Sequence, residues 1–204
     1  MKNLFPLVLV TVLALTSCKK EEQNSLSTLR VSETIEAMAG QSNLTVVAGA
    51  YEGGKFTEFV SCPVNDGRFS LKLTSSLNSS HLSEEYITGF VPEGVTISNS
   101  KVKAVGVSFT VYQGNSYYGD LVCAGASAGV STNVKYIYCD RSVKIKGTGS
   151  YTDNGGVKVY FDCDLSFSKG WNRYAEISKN RSNTEVDLQL TNKIPAGVSW
   201  ALIQ

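Results

Sequence analysis

Residues 157–167 alternate without a break. Val157, Val159, Phe161, Cys163, Leu165 and Phe167 are apolar, and Lys158, Tyr160, Asp162, Asp164 and Ser166 stand between them. A strict period of two puts the first set on one face of a β-strand and the second on the other, whereas a helix would scatter both around its surface. The period recurs in Leu44-Val46-Ala48, Phe69-Leu71-Leu73, Val105-Val107-Phe109-Val111, Val143-Ile145, Val186-Leu188-Leu190 and Val198-Trp200-Leu202. Residues 59–64, 119–124 and 134–139 are strand-like too. Turns separate the runs at Pro92-Glu93-Gly94 and Asn154-Gly155-Gly156, and Asn65-Asp66-Gly67 predicts a hairpin between 59–64 and 68–74. Short alternating strands at this density predict an all-β fold, an antiparallel β-sandwich or barrel-like, with one wet face per sheet. No β-helix-β rhythm supports a parallel α/β sheet.

Two stretches depart from the pattern. Ser79-Ser80 ahead of Leu82, Tyr86 and Ile87 predicts a short capped helix, and residues 32–39 a helical turn stopped by Gly40. One or two short helices are therefore expected at most, and the break within 75–95 allows two lobes. The 157–167 strand is expected in a sheet interior, with Phe161 reaching the other sheet and Trp200 while Tyr160 faces water.

The N-terminus carries a different signal. Lys2 precedes the apolar run Leu4–Leu15, which is too short for a bilayer core of ~20 residues but fits a secretory signal peptide. Leu15-Thr16-Ser17-Cys18 then reads as a lipobox. On this reading residues 1–17 are removed, Cys18 carries the lipid, 18–28 form a flexible tether (Lys19-Lys20-Glu21-Glu22 onward), and 29–204 form the extracytoplasmic β domain. Two or three acyl chains on Cys18 hold a protein stably on a membrane. Of 19 basic and 18 acidic side chains, only Lys2 falls in the removed segment, so the mature chain is balanced. Without a contiguous basic block there is no electrostatic case for nucleic acid.

The box L-T-S-C followed by K-K-E-E resembles cell-envelope lipoproteins of Bacteroidetes-type bacteria. So do Tyr136-Ile137-Tyr138-Cys139-Asp140-Arg141, Lys169-Gly170-Trp171-Asn172 and Pro195-Ala196-Gly197-Val198-Ser199-Trp200. The resemblance implies an all-β fold and an outer-membrane location, on its periplasmic or surface face. It implies no activity.

Chemistry-bearing residues are few. Gly125-Ala126-Ser127-Ala128-Gly129 matches G-x-S-x-G, but a nucleophile elbow needs a helix next, and Val130–Val134 is not helical. His81, the one histidine, precedes the serine, whereas that fold places it after. Asp162 and Asp164, with Asp140 a possible neighbour, could hold Ca²⁺ or form a glycosidase pair only with partners from elsewhere. Besides Cys18 there are Cys62, Cys123, Cys139 and Cys163. Export permits disulfides in any of three pairings, but Cys139 and Cys163 sit in strand patterns as small buried hydrophobes, which favours free thiols. No C-x-x-C spacing suggests zinc, and no cofactor or metal is expected. The aromatic residues Tyr117, Tyr118, Tyr151, Trp171 and Tyr174 lie near turns and offer a platform for a glycan or an envelope protein, although Trp171 fits a core plug better. The first reading of function is a lipid-anchored, non-catalytic β module that binds a glycan or protein or serves structurally. The alternative is a hydrolase using Ser127 or Asp162/Asp164.

Overall fold

The computed structural model describes residues 28–204 apart from 53, 75 and 90. The segments expected from the sequence to be a signal peptide (1–17), a lipidation site (Cys18) and most of a tether (18–28) lie outside the described residues. The described residues open with β1 (Leu29–Thr34), a 3-10 turn at Glu36–Met38, β2 (Leu44–Glu52), β3 (Lys55–Pro63) and β4 (Arg68–Leu73). A 3-10 turn at Ser79–His81 and the four-residue helix α1 (Glu85–Thr88) follow. The rest is strand: β5 (Val95–Ile97), β6 (Ala104–Gln113), β7 (Ser116–Ser127), β8 (Val130–Cys139), β9 (Val143–Thr152), β10 (Lys158–Phe167), β11 (Gly170–Ser182), β12 (Glu185–Thr191) and β13 (Ser199–Ile203).

The fold is all-β and sandwich-like. β1 and β4 make a two-stranded ribbon, and the other strands make one large sheet in the order β3-β2-β6-β7-β8-β11-β12-β10-β9-β5, with β13 on β7. The sheet bends where β6, β7 and β8 all pair with one another. β6 gives residues 104–107 to β8 and 109–113 to β7, and β7 pairs with β8 from Cys123 onward. A core lies on each side of this junction.

The first core lies between the bent sheet and the ribbon, around Val46, Phe109, Leu121, Tyr136 and Trp171 together with Leu29, Val31, Phe69, Leu71 and Leu73. The second lies on the inner face of β9 and β10, around Ile145, Phe161, Cys163, Leu165 and Phe167, closed by Ile87 of α1 and Val102. β8 is the wall between them: Val134, Tyr136 and Tyr138 point into the first core, Ile137 and Cys139 into the second.

Several expectations need correction. Asp66 and Gly67 do adopt left-handed φ (48° and 73°), and Asn65 and Arg68 exchange both backbone hydrogen bonds across them. The two strands then part, β3 pairing with β2 and β4 with β1. Phe69, Leu71 and Leu73 are needed as a lid on the first core, and β1 supplies the complementary Leu29 and Val31. Residues 32–39 are not a helical turn throughout: β1 runs to Thr34 and only 36–38 coil. Residues 79–87 hold two separate one-turn pieces rather than one helix.

The sheet is not wholly antiparallel. β10 and β11 leave a tight turn and splay apart, and β12 enters between them, antiparallel to β11 and parallel to β10. Asn192 fills the fork, its Oδ1 accepting from the Ser166 N–H at 2.6 Å and its Nδ2 donating to the Arg173 carbonyl at 3.4 Å. β10 is interior as expected, with β9 on its other edge. Phe161, however, belongs to the second core, whereas Trp200 packs on the first, so the two are not partners.

Cys62, Cys123, Cys139 and Cys163 are free thiols. Burial pushes the Cys139 and Cys163 thiols up to about 12, so both stay neutral and unreactive near pH 8. Cys163 donates weakly to the Ile145 carbonyl. Alkylation at pH 8 is expected to spare these two in the folded protein and to modify all four positions after unfolding without reductant. A disulfide-linked peptide in the mass map would refute this.

Candidate functional site

The outer face of β2, β6 and β7 carries exposed tyrosines. Tyr51 ends β2 and Tyr117 opens β7; both are more than half exposed, at 60% and 58%. Cross-strand register sets Tyr112 of β6 opposite Tyr117, and Phe56 of β3 packs against Tyr51 with ring centroids 5.0 Å apart. Beneath them lies a polar pair. Thr110, fully buried although on the outer face, donates its hydroxyl to Asp120 Oδ1 at 2.9 Å, and the Tyr117 hydroxyl donates to Asp120 Oδ2 at 3.0 Å. Both carboxylate oxygens thus have partners, and the Tyr117 ring is held in place from below. The hydrogen bond to Asp120 raises the Tyr117 pKa, helped by nearby Tyr51 and Tyr112.

Where β6 and β7 diverge beside this face, a cavity of about 180 Å³ opens between Tyr51, Ser108, Asp120, Asn133 and Lys135. Its floor is an aromatic cluster: Tyr136 stacks on Trp200 at 5.8 Å, and Phe109 meets Trp200 edge-on at 5.1 Å. Lys135 at the rim faces Glu176 at 3.8 Å. Exposed rings beside a small polar-rimmed cavity over an aromatic floor make a recognition surface for a ligand with both apolar and hydroxylated faces.

Of the aromatic residues singled out from the sequence, only Tyr117 is on this face. Tyr118, its neighbour on the strand, points the other way and packs on the first core. Tyr174 is a correction, and Trp171 takes the core position rather than the binding one: both are buried, Trp171 in the first core and Tyr174 in the second. β11 is covered at Gly170–Asn172 and again at Tyr174 and Ala175, so nearness to a turn does not expose them. The Trp171 indole N–H donates to the Thr74 carbonyl at 2.8 Å, and the ring meets Tyr138 edge-on at 5.1 Å. Burial by the surrounding core raises the Tyr174 phenol well above its ordinary range. Tyr151 is exposed at the far end of β9.

The serine motif is a hairpin. Ser127 pairs with Val130, and Ala128 and Gly129 between them take left-handed φ (50° and 78°), so a strand follows where an elbow needs a helix. Gly125 is required for another reason: a Cβ there would lie 2.6 Å from the Gly197 carbonyl, on the segment leading into β13. His81 packs its ring on Phe59 at 5.4 Å. Asp162 and Asp164 lie on the exposed face of β10, beside Gln189 at 3.5 Å and Lys146 at 3.7 Å. Among the described residues no group of three or more His, Cys, Asp or Glu could hold a metal ion.

The three segments behind the lipoprotein resemblance serve the fold. Tyr136–Cys139 is the buried crossing of the two cores, and the Asp140 carboxylate closes it by accepting from the Lys103 N–H at 2.8 Å. Asn172 ties the β10–β11 turn, bonding Ser168 and the Gly170 carbonyl. Gly197 turns the chain with φ 82° so that Trp200 reaches the aromatic floor. No family model matches this chain, and neither a curated protein nor a solved structure matches it.

Proposed function

We propose that this protein is a lipid-anchored, non-catalytic β module of the bacterial cell envelope that holds a glycan on the tyrosine face of β2, β6 and β7. The observation that carries the binding reading is the Tyr51–Tyr112–Tyr117 surface with Tyr117 fixed by Asp120. A sugar ring has an apolar C–H face to lie on a phenol and hydroxyls for Ser108, Asn133 and Lys135 at the adjoining cavity. A ring already held by a hydrogen bond loses little entropy on binding. The anchor reading is carried by the lipobox at Cys18.

The test uses the full chain solubilised in detergent on a glycan array. Wild type is expected to bind a defined set of glycans. Tyr51→Ala should weaken that binding by roughly 10-fold or more, as for loss of an interface anchor, with little change in melting temperature because the side chain is exposed. Equal binding by the variant, or no glycan bound by wild type, would refute the reading. In cells, Cys18→Ala should leave the chain unprocessed or released; a variant still held by membranes after high-salt washing would refute the anchor.

A further inference from the structure

The sequence has no contiguous basic run, yet the ribbon assembles a cationic face. β1 alternates Leu29 and Val31 inward with Arg30, Ser32 and Thr34 outward, and β4 alternates Phe69, Leu71 and Leu73 inward with Arg68, Ser70 and Lys72 outward. Antiparallel register sets Arg30 opposite Lys72, Ser32 opposite Ser70 and Thr34 opposite Arg68. The outer face therefore carries three cations and three hydroxyls and no carboxylate. The nearest acidic residues along the strands are Glu33, which is out of step with the outward set although exposed at the end of β1, and Asp66 in the turn.

This arrangement does nothing for the fold. Like charges directly opposite on neighbouring strands repel, and none of Arg30, Arg68 and Lys72 is in an ion pair among the described residues. The Ser32 and Ser70 hydroxyls bond each other at 2.6 Å, between Arg30 opposite Lys72 on one side and Arg68 opposite Thr34 on the other. Unpaired cations flanking hydroxyls on the exposed face of a ribbon suit phosphate groups.

Position identifies the partner. β1 is the first described element, and the stretch from Cys18 to Leu29 spans at most ~40 Å when extended. A lipid on Cys18 therefore keeps the ribbon within reach of the headgroups into which that lipid inserts. We infer that the outer face of the β1–β4 ribbon is a membrane-docking surface for anionic lipid headgroups, which orients the domain with the ribbon towards the bilayer. The inference rests on the lipid anchor proposed above, but not on the glycan.

The experiment uses the lipidated full chain on vesicles of phosphatidylcholine alone or with one-third phosphatidylglycerol. Amine acylation is read at Lys72 and, as a control, at the exposed Lys146 of β9. Lys72 acylation is expected to fall about 5-fold on the anionic vesicles only, to recover at high salt, and to recover in Arg30→Gln/Arg68→Gln, whose substituted side chains are exposed. Equal Lys72 rates on both vesicles, equal protection of Lys146, or protection that survives the double substitution would overturn the inference. Retention on neutral vesicles after a high-salt wash reads the anchor alone. If the anchor fails, sedimentation of the chain with anionic vesicles at low salt still decides the ribbon: binding lost in the double variant supports it, and no binding overturns it.

Discussion

Trp171→Ala is expected to lower the melting temperature by roughly 10–20 °C, the effect of losing ~3–5 kcal/mol in a domain of this size. Trp171 is 0% exposed, so its removal opens a cavity in the first core against Tyr138. It also removes the donor to the Thr74 carbonyl, a part-buried hydrogen bond whose loss costs a further ~0.5–1.5 kcal/mol. Trp171→Phe separates the two contributions: it refills most of the volume but cannot donate, so its loss should be the smaller. Thermal unfolding followed by circular dichroism decides the matter. An alanine variant that melts with wild type would mean that Trp171 is not in the core.

The second large effect is in the other core. Phe161→Ala should cost ~3–5 kcal/mol, a large share of the ~5–15 kcal/mol that holds a domain together. Tyr160, one residue away, lies on the outer face of β10. There it stacks under Arg181 at 4.0 Å, with Lys158 at 5.0 Å, and donates its hydroxyl to Glu185 at 2.9 Å. These are half-exposed contacts, so Tyr160→Ala should cost only about 1 kcal/mol. Denaturant unfolding of both variants gives the comparison. Equal losses would mean that the register of β10 is wrong.

β10 also shows what the sequence could reveal. Its apolar face was legible because only one side is covered: Val159, Phe161, Cys163, Leu165 and Phe167 are all buried, whereas Val157, just ahead of the strand, is half-buried. β11, the longest strand, was not legible. Trp171, Asn172, Tyr174 and Ala175 are buried on both faces, and the later residues are polar, so no period of two survives. β1 is short, and its pattern fades at Glu33 and Thr34. The candidate site was legible at one position. Tyr117 stands out beside a turn, but Tyr112 joins it only through the β6–β7 register and Tyr51 from the far end of β2, beyond the β2–β6 pairing, and nothing local links Thr110 to Asp120. The Asp66-Gly67 turn is legible in the sequence while the pairing around it is not, because turn conformation is local and strand partnership is decided by the core.

One further consequence follows from β8. The strand that would peel away from the first core is the wall of the second, since alternate residues of Tyr136–Cys139 serve each in turn. Neither half can melt and leave the other intact, because the survivor would lose its own boundary. The described chain therefore unfolds as one cooperative unit. Wherever proteases reach the protein this matters more than the stability of either core, since cleavage usually begins at partly open states and this topology allows few of them.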